Sequence, residues 1–168
     1  MRSGRGQRPF HVVLVTPEIP PNTGNIGRLC AATQSHLHLV EPLGFRIDEH
    51  AVRRAGLDYW PLVQLHTHGS YPAARSHIEQ LDAEARHWLF SGKARRSYLD
   101  VRFRPGDALV FGKESSGLPE TLLAEYPEDV VGIPTLGPVR SLNLANAVAI
   151  ALYEALRQVG QLDGAHLE

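Results

Sequence analysis

Residues 11–40 read HVVLVTPEIPPNTGNIGRLCAATQSHLHLV: an apolar run, a loop rich in Pro, Gly and Asn, a helical stretch, and a second apolar run. HVVLV (11–15) and HLHLV (36–40) are short and carry little polarity, the pattern of buried strands. Between them NTGNIGRLCAATQS (22–35) predicts a helix, with Asn22 or Thr23 as its cap behind a rigid proline entry. The alternation continues. PLVQLH (61–66), HWLFS (87–91), ALVFG (108–112) and DVVGI (129–133) read as strands. AVRRAGL (51–57), YPAARSHIEQLDAEAR (71–86), PETLLAEY (119–126) and SLNLANAVAIALYEALRQV (141–159), stopped by Gly160, read as helices. Strands and helices in this order predict an α/β fold, a mostly parallel sheet with helices on both faces. No repeat or linker interrupts the pattern, so 1–168 is expected to be a single domain with loose ends at 1–9 and 161–168.

Composition narrows the function. The chain has 168 residues, 43% of them hydrophobic and 21% charged, the make-up of an ordinary globular domain. Its formal net charge of −1 shows no global attraction to a polyanion. Of the 17 basic residues only Lys93 and Lys113 are lysines, so a nucleic-acid contact must be a local arginine patch. Cys30 is the only cysteine, which excludes an internal disulfide and fits a reducing cytoplasm. No apolar run approaches the roughly 18 residues of a membrane span, and no signal-peptide pattern opens the chain.

In parallel α/β folds ligands bind at the carboxyl ends of the strands, so the loops after strands carry the chemistry. In the first loop and its helix, Ile26, Leu29, Cys30 and Thr33 share one face and leave Arg28 on the other. Gly24 and Gly27 thin the helix around that arginine and permit a close approach. The second loop, LVFGKESSGLPE (109–120), resembles a phosphate loop only superficially, because Glu114 stands where a metal-binding hydroxyl should be. Lys113 and Glu114 between Gly112 and Gly117 suggest instead a ligand against the backbone, a cationic one included. The third is IPTLGPVRSLNLANAVAIALYEAL (133–156). Ser141 is placed as a helix cap, and Asn143, Asn146, Ile150 and Tyr153 then fall on one stripe about 80° wide.

Other candidates are weaker. His36 with His38 and His66 with His68 each present two imidazoles from a strand, but without an acid cluster no metal site is expected. GKARRSYLDVRFR (92–104) interleaves Lys93, Arg95, Arg96, Arg102 and Arg104 with Tyr98 and Phe103, a pattern suited to an RNA backbone. Arg2, Arg5 and Arg8 extend this as a basic arm.

Taken together, NTGNIGR, FGKESSGLP and IPTLGPVRSLNLANAVAIALYE, in this order, resemble the three motifs of the SPOUT superfamily of RNA methyltransferases, in the branch that methylates ribose 2′-hydroxyls. PEIPPNTGNIGRLCAAT and RRAGLDYW (53–60) are similar in particular to the small enzymes that act on the wobble nucleotide of tRNA. The resemblance runs from about Val12 to Gly160. It implies a C-terminal deep trefoil knot, a homodimer and S-adenosyl-L-methionine as methyl donor, with no metal. It also implies catalytic positions at Asn22, Arg28, Glu114, Ser141 and Asn143. Cofactor contacts are implied at Ser91, Gly92, Gly112, Ile133, Leu136, Ser141 and Leu142; RNA contacts are expected at Arg28, Arg53 and Arg54, at Arg95 and Arg96 of the basic stretch, and at Tyr153, an aromatic position for RNA or the dimer. Another tRNA or rRNA ribose is the alternative target, and an RNA-binding module without catalysis the alternative class.

Overall fold

β1 (His11–Val15) runs down the middle of a parallel sheet, where its peptide groups bond to neighbours on both sides and its side chains are buried on both faces. The structure is a computed structural model that describes residues 7–47 and 59–167. The other strands are β2 (His36–Val40), β3 (Gln64–His68), β4 (His87–Phe90), β5 (Ala108–Phe111) and β6 (Val130–Val131). Among the described residues four helices complete the layers: α1 (Pro20–Thr33), α2 (Tyr71–Leu81), α3 (Glu120–Glu125) and α4 (Leu144–Gln158). The strands pair in the order β3-β2-β1-β5-β4-β6, every pair parallel.

Strand side chains alternate between two cores, as a period of two requires. Val12, Leu14, Leu37 and Leu39 pack with Ile26 and Cys30 of α1 and with Val148, Ala151 and Leu152 of α4. Val13, Val15 and Val40 face the other way, against Tyr71, Ala74 and Ile78 of α2 and Leu122 of α3. The expected α/β class with helices on both faces is what the chain forms.

Several boundaries differ from the sequence reading, each for a local reason. Helix α1 starts at Pro20, because Pro20 and Pro21 occupy the first helical turn, where a missing N–H costs nothing. Ile19 holds the cap position without a side-chain bond, so neither Asn22 nor Thr23 is the cap. At 60–62 the chain makes a 3₁₀ turn, which delays β3 to residue 64. Helix α2 ends at Leu81 instead of 86; Asp82 turns the chain by accepting the Glu84 N–H and also binds Arg8 at 2.7 Å. Helix α4 is capped by Asn143, whose side chain accepts the Asn146 N–H, and Ser141 lies two residues outside it. At the C-terminus Gln161 donates to the Arg8 carbonyl and Leu162 packs on the core, so 161–162 are tied down. The helix expected at 51–57 lies outside the described residues, as do Arg2, Arg5, Arg53 and Arg54. Among the described residues no helix is long and apolar enough to cross a membrane.

Asp107 anchors the amino ends of β4 and β5. Its Oδ1 accepts the Arg86 N–H, and its Oδ2 accepts Trp88 Nε1–H and the Arg104 N–H, each at 3.0 Å. Burial raises its pKa, and the three donors oppose the rise. Asp107→Ala leaves those donors without their acceptor and is expected to cost about 3–5 kcal/mol in urea unfolding. A loss under about 1 kcal/mol would show that the donors find water instead.

His87 is 1% exposed, and both its ring nitrogens lack a hydrogen-bond partner among the described residues. Burial, helped by the Arg75 charge, lowers its pKa from 6.5 to about 4. Glu79 Oε1, the acid facing it from α2, stands 3.9 Å away and does not offset that burial. The folded chain therefore keeps this imidazole neutral while the unfolded chain protonates it. Its contribution is complete above pH 6.5 and is lost as the pH falls toward the folded value. By about pH 5 the loss is about 2 kcal/mol, from roughly 1.4 kcal/mol per unit. Urea midpoints measured from neutral to acid pH should fall accordingly, and His87→Leu should flatten that limb. An unchanged acid limb in the variant counts against this reading.

Candidate active site

Four loops leave the carboxyl ends of adjacent strands: 16–19 after β1, 112–119 after β5, 91–97 after β4 and 132–143 after β6. The chain goes from β1 to β2 on one side, and from β5 to β6 on the other. The gap between β1 and β5 is thus a topological switch point, where parallel sheets hold their ligands. Thr16 opens this edge with φ 52°, an uncommon conformation for a β-branched residue, and it turns the chain sharply out of β1.

Loops 16–19 and 113–115 clasp each other through reciprocal carboxylates. Glu114 Oε2 accepts the Glu18 N–H at 2.8 Å, and its Oε1 accepts the Ile19 N–H at 3.2 Å. In return Glu18 Oε1 accepts both the N–H and the hydroxyl of Ser115, at 3.1 and 2.6 Å. Those Ser115 bonds hold the Glu18 carboxyl below its usual range. Glu114 is therefore committed to the amino end of α1, where orphan amides and the helix dipole favour an anion. The cationic ligand suggested by the sequence is not needed to explain it.

From Glu114 a hydrogen-bond chain runs into the third loop. Asn22 Nδ2 donates to Glu114 Oε1 at 3.5 Å, and Asn143 Nδ2 donates to Asn22 Oδ1 at 3.1 Å. Asn143 Oδ1 caps α4 by accepting the Asn146 N–H at 3.2 Å. Residues 22, 114 and 143 are far apart in sequence, yet each side chain orients the next. Asn22 is free for this role because the prolines relieve it of capping α1.

Arg28 and Ser141 stand outside that chain. Arg28 is six residues along α1, about 9 Å farther up the axis. It is exposed, with its guanidinium 4.9 Å over the Tyr59 ring. The Tyr59 hydroxyl donates to the Gly24 carbonyl at 2.6 Å, and a Cβ on Gly27 would stand 2.6 Å from the Trp60 ring. Gly27 thus admits the Trp60 ring against the helix, and Tyr59 carries the arginine. Ser141 is exposed in the third loop.

The residues implied as cofactor contacts emerge from three neighbouring strands. Ser91 donates its N–H to the Val131 carbonyl, and the Arg140 carbonyl lies 3.7 Å from where a Gly92 Cβ would be. Gly112 has no such room: a Cβ there would lie 2.0 Å from the Gly117 carbonyl carbon. The missing side chain makes room for the loop's own backbone. Ile133 is half-buried on the core, while Leu136 is fully exposed and Leu142 is 37% exposed. Backbone polar groups beside uncovered aliphatic side chains fit a nucleoside-bearing ligand such as S-adenosyl-L-methionine.

The basic stretch is corrected in part. Tyr98 and Phe103 are core residues, 8% and 2% exposed, so neither can stack a base. Lys93 pairs with Glu120. Arg86 pairs with Asp129 and lies 4.0 Å over the Trp88 ring. Arg95 and Arg96 remain exposed on an open cavity of about 450 Å³. Tyr153 is half-exposed on α4, beside exposed Asn146 and Ile150.

Residues 9–153 match the SpoU rRNA methylase family. The chain belongs to that family. A Burkholderia cenocepacia protein named tRNA (cytidine(34)-2′-O)-methyltransferase is 47% identical over 157 residues, 93% of this chain and 99% of its own. A solved structure described as giving insight into the 2-OH methylation of C/U34 on tRNA is 50% identical with TM-score 0.81, covering 91% of this chain and 97% of that one. An AdoMet-bound rRNA methyltransferase from Sinorhizobium meliloti is 25% identical with TM-score 0.74, covering 90% and 57%. The SPOUT resemblance stated from the motifs is thereby established at the level of the family.

Two members of the site escaped the sequence reading. Glu18 lay inside the quoted loop, but only its pairing with Ser115 gives it a role. Tyr59 lay in RRAGLDYW, and nothing in the local pattern ties it to Arg28 across about thirty residues.

Proposed function

We propose that the chain transfers a methyl group from S-adenosyl-L-methionine to the ribose 2′-hydroxyl of the wobble nucleotide, cytidine or uridine, of tRNA. The observation that carries this is the Glu114–Asn22–Asn143 chain, which joins the three motif loops at the switch point of the sheet. The names of the relatives support the wobble ribose over other positions.

The donor, when bound, supplies a sulfonium methyl for an in-line displacement. Ser91, Gly92, Ile133, Leu136, Ser141 and Leu142 would hold it at the edge of β4 and β6. Gly112, whose lack of a side chain lets its loop fold back closely, would add a backbone contact. Much of the rate enhancement then comes from alignment. Glu114 orients Asn22, Asn22 orients Asn143, and Asn143 presents its remaining amide capacity to the ribose. Arg28 clamps the adjacent phosphate and stabilises charge on the hydroxyl oxygen as its proton leaves. A guanidinium holds its proton too tightly to act as a base, so the proton goes to water or to the phosphate.

Arg95, Arg96 and Tyr153 extend the RNA surface in this reading, with Arg53 and Arg54 beyond the described residues. The exposed stripe of α4, Asn146, Ile150 and Tyr153, would pack on a second copy of the chain. The loops at 91–103 and α4, tied by Gln158 to Phe103 N–H and to the Val101 carbonyl, are where the knot would form. The whole chain would act as one domain in the cytoplasm, where tRNA is modified.

Incubation with labelled S-adenosyl-L-methionine and total tRNA, followed by nucleoside mapping, tests the proposal. Label should appear as 2′-O-methylcytidine or 2′-O-methyluridine at the first anticodon position. Label only at another tRNA position or in rRNA would reject the wobble assignment, and no transfer to any RNA would reject the activity.

A further inference from the structure

We propose that this chain binds one transition-metal ion of the Zn²⁺ class between β1 and β2, through His11, His36 and His38. Ligating atoms of these three side chains lie within 4.8 Å of one another. The sequence suggested two separate histidine pairs, but the sheet merges them. The register puts His11 beside His36 and His38 beside His66, with all four side chains on the face covered by α2.

The hydrogen bonds assign the nitrogens. His36 Nδ1 faces His66 Nε2 at 3.0 Å, and His38 Nδ1 faces His68 Nε2 at 3.0 Å. In both β2 histidines Nδ1 is thereby taken by β3, which leaves Nε2 as the ligand atom. His38 Nε2 lies 2.9 Å from His11 Nδ1, so two of the three donors already converge. Metal-bound imidazoles usually hold their second nitrogen on an outer partner in this way, which sets tautomer and ring orientation. A tetrahedral zinc with bonds of about 2.0–2.1 Å keeps its nitrogens about 3.3 Å apart, within reach of small ring rotations from this arrangement.

Packing alone accounts poorly for the cluster. At neighbouring positions on the same face the strands carry Val13, Val15 and Val40, which bury without a polar partner. His38 is fully buried, and His77 approaches from α2 with its ring 4.9 Å from His66. The buried Nε2 of His77 has no hydrogen-bond partner among the described residues. A polar atom so placed is normally satisfied, and a water on the ion would give His77 Nε2 a partner. The ligand set holds imidazoles without carboxylate or thiolate, which selects Zn²⁺, Ni²⁺ or Cu²⁺ over Mg²⁺ or Ca²⁺.

His11 and His36 are the first residues of their strands. The candidate active site begins beyond Val15, about 13 Å along β1 at roughly 3.3 Å per residue. The ion would therefore pin β1, β2 and α2 together and take no part in methyl transfer.

Untagged protein is stripped with chelator, dialysed against Zn²⁺ alone, desalted, and its metal counted by mass spectrometry. One bound equivalent, a raised thermal midpoint, and the visible bands of a four-coordinate ion when Co²⁺ replaces Zn²⁺ are expected. His36→Gln, at a half-buried position, should lose all three signals, and His166→Gln, in the exposed tail, should keep them. If His36→Gln fails to fold, ring-nitrogen resonances of the native protein decide. Zn²⁺ must shift those of His11, His36 and His38. Unmoved resonances, no retained metal in the native chain, or full retention in a folded His36→Gln variant would overturn the proposal. RNA methylation by the native protein is a separate assay, so failure here leaves the proposed activity standing.

Discussion

Arg28→Lys is expected to lower turnover at saturating tRNA about 10²–10³-fold, the scale of losing one positioned group that stabilises developing charge. The thermal midpoint should stay within experimental error of the parent. Arg28 is exposed, and among the described residues its guanidinium rests on the Tyr59 ring, so the folded chain loses little when it changes. Lysine keeps the charge but loses the planar fork that can hold a phosphate and an adjacent oxygen together. Single-turnover kinetics with separate measurement of tRNA affinity distinguish the two. A variant with near-normal turnover would show that any cation suffices and would remove the proposed role of the fork. Tyr59→Phe keeps the ring beneath the guanidinium and should cost much less, because the fork stays in place while the bond to the Gly24 carbonyl is lost.

The second large effect is structural. Gly112→Ala places a Cβ 2.0 Å from the Gly117 carbonyl carbon and 2.1 Å from the Leu118 nitrogen. Both contacts are with backbone, which cannot rotate aside, so loop 112–118 must move. That loop carries Glu114 and Ser115, and its displacement breaks the clasp on Glu18 and Ile19. A destabilisation of about 3 kcal/mol or more is expected, together with loss of methyl transfer beyond what instability explains. Denaturant unfolding and activity measured well below the melting temperature separate the two parts. An alanine variant with parental stability would mean that the loop has a second resting position. Gly117, where φ is +71° and no atom of the described residues beyond its chain neighbours lies within 4 Å of an added Cβ, should suffer mainly backbone strain of about 1–2 kcal/mol.

Much of the fold was legible because it rests on local chemistry. Apolar five-residue runs such as HVVLV and HLHLV become parallel strands because buried strands need apolar side chains on both faces. The departures came from residues with two competing uses. Asn22 and Ser141 looked like helix caps, since that is what such residues do near an apolar helical run. The prolines at 20–21 and the side chain of Asn143 met those needs instead. Tyr98 and Phe103 looked available to RNA, but aromatic side chains gain more by burial, and both joined the core.

The candidate site divides along the same line. Its residue types and their order in three loops were readable, and they resemble those of an RNA ribose methyltransferase. Sequence could not show that Glu114 reaches the start of α1, that Asn22 bonds to Asn143, or that Tyr59 lies under Arg28. The histidines teach the same lesson: two pairs on separate strands became one cluster when β1, β2 and β3 paired in register. By itself the sequence determined the α/β alternation, the arginine-rich surface and the chemistry of the loops, because these depend on side-chain type and spacing along the chain. Only the tertiary structure decided which groups meet, because strand order and register bring together residues that chain distance keeps apart.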